Sequence, residues 1–210
     1  MKTKQEDFWS GEFGRQYSDR NTWDIEEYDK FYQSEWGKTR TKMNNDFIGM
    51  LPKESKILEV GCNVGMQLQL LQKMGYQNLY GIELQWYAVE KAKSMSKGIN
   101  IIQGTGFDIP FKDNYFDIVV TNGVLIHIAP ERYDSIIREI NRCSKKYIWG
   151  FEYYSPELRE LLYRGNAGFL WKNDFSKVYT NICPCLIELK REYYKYTYNE
   201  NVDMMYLLHK

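Results

Sequence analysis

The chain predicts an α/β fold on a parallel, doubly wound sheet, and three observations carry that expectation. Residues Lys56 to Gly65, K-I-L-E-V-G-C-N-V-G, run a short apolar segment of strand length into a glycine-punctuated turn. Met66 to Lys73 follows with apolar residues at 66, 68, 70 and 71, the spacing of one helix face, and Gly75 stands where a helix C-cap belongs. Beyond the next strand-like segment, L-Y-G-I-E ending in Glu83, helical and strand patterns alternate as β-α-β-α-β. That rhythm dictates parallel strands joined by right-handed crossovers.

The spacing of the turn separates two cofactor classes. A dinucleotide fingerprint reads G-x-G-x-x-G, its third glycine admitting close helix–strand packing; here Met66 fills that position. The order is instead Gly61, Cys62, Asn63, Val64, Gly65, with Asn63, a residue type that tolerates left-handed backbone, where a middle glycine is expected. Glu59 precedes Gly61 by two residues. A carboxylate there repels a diphosphate and attracts an ammonium, so a cofactor with an amino-acid tail is favoured over NAD. Glu83, followed by Leu84, stands where doubly wound folds hold ribose hydroxyls with an acid.

The turn and its acid resemble the first motif of class I S-adenosylmethionine (SAM)-dependent methyltransferases, E/D-h-G-x-G-x-G, and Glu83 resembles the acid of their second. Gly104 to Phe116, G-T-G-F-D-I-P-F-K-D-N-Y-F, followed by D-I-V-V-T-N-G-V-L-I-H-I, is similar to the adenine loop and fourth strand of small-molecule members. The segments E-D-F-W-S-G-E-F-G-R-Q-Y-S-D-R-N, G-V-L-I-H-I, E-Y-Y-S-P and Y-R-G resemble methylases associated with pseudaminic acid biosynthesis, over most of the chain. The resemblance implies a Rossmann-like, seven-stranded, mostly parallel doubly wound sheet with an antiparallel last strand and an N-terminal helical lid. It also implies SAM as cofactor, S-adenosylhomocysteine as product and a small-molecule acceptor, a nonulosonic (pseudaminic or sialic-acid-like) sugar or its nucleotide conjugate. A SAM- or nucleoside-binding module without catalysis, acting as a partner subunit, is the alternative.

Composition bounds these expectations. At 210 residues and 25.2 kDa, with no Pro-, Gly- or Ser-rich linker, one domain over 1–210 is expected, with 1–52 as lid and helix, 53–210 as core and an insertion near 152–182. Net charge is zero and the sequence pI is about 6.7, which gives no basic field for nucleic acid or an anionic membrane. No apolar run approaches the roughly 20 residues of a membrane span and no signal-peptide core is present, so the chain reads as cytoplasmic, with oligomeric state open. The four cysteines are scattered, Cys183-Pro-Cys185 is C-x-C, and only His127 and His209 could complete a metal site, so no metal is expected. Aromatic residues, 16% of the chain with 18 tyrosines and 6 tryptophans, suggest a cleft with amphipathic walls.

In chain order, Glu6 to Asn21 carries Phe8, Trp9, Phe13, Tyr17, Arg20 and Asn21. The resemblance makes this a lid, with Tyr17 near the methionine end of SAM and Arg20 and Asn21 toward the acceptor. Aromatic faces near a sulfonium are favourable because the ring quadrupole attracts a cation. Trp23 to Met50 is a helix candidate closed by Pro52, Gln85 to Lys97 a second amphipathic helix, and Ile99 to Gln103 a third strand. At that strand's C-terminal edge Thr105, Gly106 and Phe107 form the implied adenine loop, with Thr105 where an acid is usual. Phe116 to Thr121 is the fourth strand, and Asn122 and Gly123 stand at its tip, facing ligand. His127 follows as the candidate general base for a hydroxyl acceptor. Glu131 to Arg142 reads as a helix and Lys146 to Phe151 as the fifth strand. Glu152, Tyr153, Tyr154, Tyr163 and Arg164 are the implied acceptor wall. Arg20 and Arg164 would pair with the acceptor's carboxylate or phosphate. Phe169 to Tyr179 reads as a short helix, with Leu186 to Tyr198 and Met204 to His209 as the final antiparallel pair.

Overall fold

The structure is a computed structural model that describes residues 2–210. Two short helices, α1 (Lys4–Ser10) and α2 (Glu12–Arg20), open the chain. Thr3 starts α1 with a capping box, its hydroxyl accepting from the Glu6 N–H while the Glu6 carboxylate accepts from the Thr3 N–H. Helices α3 (Ile25–Trp36) and α4 (Arg40–Ile48) replace the single helix expected over Trp23 to Met50. Gly37, at φ 70°, ends α3 in a left-handed cap, and the Thr39 hydroxyl then caps α4.

The alternating core follows as β1 (Lys56–Val60), α5 (Met66–Lys73), β2 (Asn78–Glu83), α6 (Trp86–Met95), β3 (Asn100–Gln103) and β4 (Phe116–Asn122). Two 3-10 turns, Leu125–His127 and Pro130–Arg132, lead into α7 (Tyr133–Cys143) and β5 (Ser144–Tyr153). Pro130 at the start of the second turn explains why the regular helix begins at Tyr133 rather than at Glu131.

The segment after β5 departs most from the sequence expectation. β6 (Arg159–Tyr163) and β7 (Asn166–Lys172) form an antiparallel hairpin, and α8 (Phe175–Ile182) starts only after Asp174. Arg164 and Gly165, at φ 49° and 83°, are its two turn residues, the left-handed pair that matches the twist of a two-residue hairpin. The first half of the expected helix over Phe169 to Tyr179 is therefore strand, and the Asp174 side chain caps the remainder.

β8 (Ile187–Lys195) and β9 (Val202–His209) complete a seven-stranded sheet of order β3-β2-β1-β4-β5-β9-β8. β1 to β5 are mutually parallel, and β9 runs antiparallel to both β5 and β8, as expected for the last strand. β1 is buried on both faces, Ile57 toward α4, α5 and α6, and Leu58 and Val60 toward α7. The strand order reverses between β1 and β4, so the crossovers on either side diverge and leave a crevice at the C-terminal strand tips. α1 and α2 close over that crevice.

Candidate active site

The crevice is a cavity of about 420 Å³, within the usual range for a small-molecule site. Its floor at one end is the turn after β1. Gly61, Asn63 and Gly65 all have left-handed backbone, with φ of 70°, 47° and 76°. The backbone N–H groups of Gly61 and Cys62 both donate to the Ile82 carbonyl, at 2.8 and 3.2 Å, which ties the turn to β2. A Cβ on Gly61 would meet Val124 Cγ2 at 2.6 Å, so this glycine admits the loop after β4 as well as any ligand.

Glu83, at the tip of β2, accepts from the Asn63 N–H and the Gln85 N–H, each at 2.8 Å. Each carboxylate oxygen keeps lone-pair capacity for a further donor. Burial raises its pKa, and those backbone N–H groups oppose the rise. Glu59 lies beneath the turn, 3% exposed, with Oε2 buried and unpartnered. Burial pushes its carboxyl up to about 8; Arg40 opposes the shift and Glu83 adds to it. Arg40 itself is fully buried, donates from Nε to Gln67 Oε1 at 3.0 Å and leaves both Nη groups unpartnered.

The lid is latched to the loops that follow β1, β2 and β3. The Ser18 hydroxyl donates to Asn63 Oδ1 at 2.7 Å, Gln85 Nε2 donates to the Ser10 and Gly11 carbonyls at 2.9 and 2.8 Å, and the Thr105 hydroxyl donates to Glu6 Oε1 at 2.8 Å. Glu6 thus brings a carboxylate from the lid to the loop where Thr105 stands in place of an acid. Although burial raises the Glu6 carboxyl, donors from Thr3 and Thr105 hold it below its ordinary value. Gln5 Nε2 reaches the Gly168 carbonyl at 3.0 Å, and Phe8 packs on Phe169 with ring centroids 4.2 Å apart, which joins the lid to the β6–β7 hairpin.

His127 sits where lid, β4 loop and hairpin meet, its ring 4.6 Å from that of Trp9 and 4.8 Å from that of Tyr163. Its Nδ1 lies 2.7 Å from the Phe169 carbonyl, which as an acceptor fixes the proton on Nδ1. Nε2 then carries the free lone pair. Burial drives the imidazole pKa down to about 4, with only the bond to Phe169 opposing the shift, so the ring is neutral near pH 7.

Of the expected site residues, Tyr17, Asn21, Glu59, Gly61, Cys62, Asn63, Glu83, Leu84, Thr105, Gly106, Phe107, Asn122, Gly123, His127, Glu152, Tyr153 and Tyr163 all line the cavity. Gly65 lies just behind it as the left-handed N-cap of α5. Arg20, Tyr154 and Arg164 fall outside the lining. Arg20 and Arg164 are exposed but both act on Tyr163 at the edge of the lining, and the Tyr154 ring packs against Tyr193, 4.7 Å away. Glu152 lines the cavity from a buried position: it is 1% exposed, and its carboxylate accepts from the N–H groups of Val124 and Ile126 at 3.2 and 3.4 Å. It fixes the loop that carries His127, and burial pushes its carboxyl to about 7. The cavity also takes in Glu6, Ser18, Trp36, Tyr196 and Asp203, which the sequence reading did not single out. For Asp203 a signal was present, a lone acid at the head of the apolar run V-D-M-M-Y-L-L.

Among the described residues, no group of three or more His, Cys, Asp or Glu is placed to hold a metal ion, and no helix is long and apolar enough to cross a membrane. Residues 58–147 match the family described as a methyltransferase domain. The whole chain superposes on a Leishmania major SAM-dependent methyltransferase with a TM-score of 0.72 at 17% identity, covering 99% of this chain and 87% of that one. The fold is therefore the class I methyltransferase fold. In sequence the chain is 29% identical over 122 residues to an uncharacterized protein of Haemophilus influenzae, covering 52% of this chain and 49% of that protein. It is 31% identical over 104 residues to a sterol 24-C-methyltransferase of Gibberella zeae, covering 47% of this chain and 27% of that enzyme. The chain thus spans about half or less of the length of these two curated relatives.

Proposed function

We propose that this chain is a SAM-dependent methyltransferase acting on a small molecule. The observation that carries the reading is the pair of acids around the glycine turn: Glu83, with spare acceptor capacity at the tip of β2, and Glu59, buried with one oxygen unpartnered. A ribose supplies the donors Glu83 lacks. An ammonium relieves the burial that holds the Glu59 carboxyl near 8. The match of residues 58–147 to the methyltransferase-domain family supports the same assignment.

On this reading Glu83 holds the ribose, the Gly61 to Gly65 turn and Glu59 receive the methionine end, and Thr105, Gly106 and Phe107 with Glu6 face the adenine. SAM, when bound, supplies an electrophilic methyl group on its sulfonium. The protein's contribution is mostly positioning, which can be worth roughly 7 to 11 kcal/mol of the barrier. The latched lid excludes water, and Glu152 fixes the loop that presents His127. General-base help adds about 10² to 10⁴-fold. For a hydroxyl acceptor, His127 Nε2 is the group with the free lone pair.

For the acceptor, the resemblance to pseudaminic acid methylases proposes a nonulosonic sugar or its nucleotide conjugate. Arg20 and Arg164 do not line the cavity and stand at its edge beside Tyr163, so an anionic group of the acceptor would meet them only at the mouth. Calorimetry with SAM and NADH tests the cofactor, and S-adenosylhomocysteine release in the presence of candidate acceptors tests the reaction. SAM binding is expected; stabilisation by NADH but not SAM overturns the reading. Tight SAM binding without turnover on any acceptor points to the binding module.

A further inference from the structure

We propose that the acceptor half of the cavity is built for a cation, so that the methyl acceptor carries an ammonium-type charge seated among Trp36, Phe151, Tyr153 and Tyr196 against the Asp203 carboxylate. The inference rests on the methyltransferase reading and adds the charge class of the acceptor to it.

The first observation is the sign of the lining. Among the described residues no lysine or arginine lines the cavity, whereas five carboxylates do: Glu6, Glu59, Glu83, Glu152 and Asp203. Four of these have roles already. Glu6 is bonded to Thr3 and Thr105, Glu83 to two backbone amides, Glu152 to the His127 loop, and Glu59 lies under the glycine turn. Asp203 is faced only by uncharged donors, the Tyr196 hydroxyl and the Trp36 indole N–H. It is 3% exposed, yet among the described residues no lysine or arginine nitrogen lies within 4.0 Å of its carboxylate.

Two cations pack on rings of this group instead, and one of them, Lys172, also lowers the cost of the Asp203 charge without pairing with it. Lys172 lies over Tyr153 at 4.8 Å and donates to Asn201, and Arg40 lies over Phe151 at 4.7 Å; neither lines the cavity. A buried carboxylate without an ion-pair partner is costly to ionise, and burial accordingly lifts Asp203 to about 7. A ligand ammonium is the partner that would offset this.

The second observation is the shape of the surroundings. Trp36 meets Phe151 at 5.5 Å and 78° and Tyr196 at 5.0 Å and 58°, while Tyr153 meets Tyr196 at 5.8 Å and 66°. Inclined rings turn faces in several directions, the arrangement that attracts ammonium groups through the ring quadrupoles. The Trp36 indole N–H is buried beside them and faces the Asp203 carboxylate.

Strand direction supplies the position. β9 is antiparallel, so Asp203 near its start lies in register with Tyr153 near the end of β5, at the same sheet edge as the glycine turn. The carboxylate and rings are thus within the cofactor cavity but on the β5 and β9 side of it.

The test uses the full chain saturated with S-adenosylhomocysteine, whose neutral sulfur leaves the cation subsite uncompensated. Calorimetry then compares choline, its neutral isostere 3,3-dimethylbutan-1-ol, and N-acetylneuraminate. Choline is expected to bind about tenfold more tightly than the isostere, in keeping with a desolvated cation–ring and carboxylate contact. Asp203→Asn or Trp36→Leu should erode that preference while S-adenosylhomocysteine affinity holds. Equal affinities for choline and the isostere, including none for either, overturn the proposal, as does tighter binding of N-acetylneuraminate. The wild-type comparison decides the matter even if a variant fails to fold. Failure of S-adenosylhomocysteine itself to bind removes the methyltransferase reading, and this inference with it.

Discussion

Glu83 shows how one side chain joins the fold to a binding role. Its two oxygens hold the backbone of Asn63 and Gln85, so it shapes the turn after β1 and the entry to α6 at once. Glu83→Ala is expected to weaken SAM binding by roughly 1 to 3 kcal/mol, the range for unmade hydrogen bonds at a buried site. Gly61→Val should do more damage, because its φ of 70° disfavours a β-branched residue and its Cβ would fall 2.6 Å from Val124 Cγ2. Calorimetric affinity unchanged in both variants rejects this turn as the cofactor site. His127 carries a second prediction at this scale. With its pKa near 4 rather than the ordinary 6.5, a base role gives kcat an acidic limb near pH 4 and none near 6.5. His127→Asn should remove that limb and leave SAM affinity alone. A limb at pH 6.5 that persists in the variant assigns the titration to another group.

At the scale of elements, what the sequence revealed depends on where the deciding contacts lie. β1, α5 and β2 were legible because apolar period and turn residues are local properties, and the structure places β1 at Lys56–Val60 and α5 at Met66–Lys73. The break between α3 and α4 was also encoded locally, in Gly37 and Thr39, but the aromatic periodicity of Tyr28, Phe31 and Tyr32 masked it. The β6–β7 hairpin was missed for a related reason: Arg164-Gly165 reads as a turn only once two strands are seen to flank it. The lone acid in V-D-M-M-Y-L-L marks Asp203 itself, but no local pattern brings it to Trp36; the reversed direction of β9 and the packing of α3 do.

The lid is the element whose role is most open to measurement. Gly14 lies where α2 passes α1 so closely that a Cβ would sit 1.8 Å from the Trp9 carbonyl oxygen. Gly14→Ala must therefore shift the α1–α2 corner and strain the latches at Asn63, Gln85 and Thr105. The expected outcome is weaker SAM binding and faster hydrogen exchange over residues 4–20, with exchange in β1, β4 and β5 unchanged. Wild-type affinity and wild-type lid protection in Gly14→Ala would show that the lid does not govern cofactor retention.

At the scale of the whole molecule, the buried acids around the cavity couple stability to pH. Glu59 at about 8, and Glu152 and Asp203 at about 7, are all raised chiefly by burial from ordinary values of 4.5, 4.5 and 3.8. Between its ordinary and raised values each carboxyl binds more protons folded than unfolded. Its contribution is therefore complete at pH below the ordinary value and is lost as pH rises through 7 to 8. His127 works in the opposite sense, its contribution complete above 6.5 and lost as pH falls through about 4. Above pH 6.5 the histidine is silent, and the three carboxyls act without opposition from it. The ligand-free protein should accordingly lose Tm between about pH 6.5 and 8.5. Saturating SAM should shrink the loss, because an ammonium beside Glu59 makes the ionised form cheap to keep. Calorimetric scans in both states across that interval check the argument; a flat or rising Tm in the ligand-free protein would mean that Arg40 at Glu59, and Tyr196 and Trp36 at Asp203, already hold these carboxyls ionised in the fold, and would overturn it.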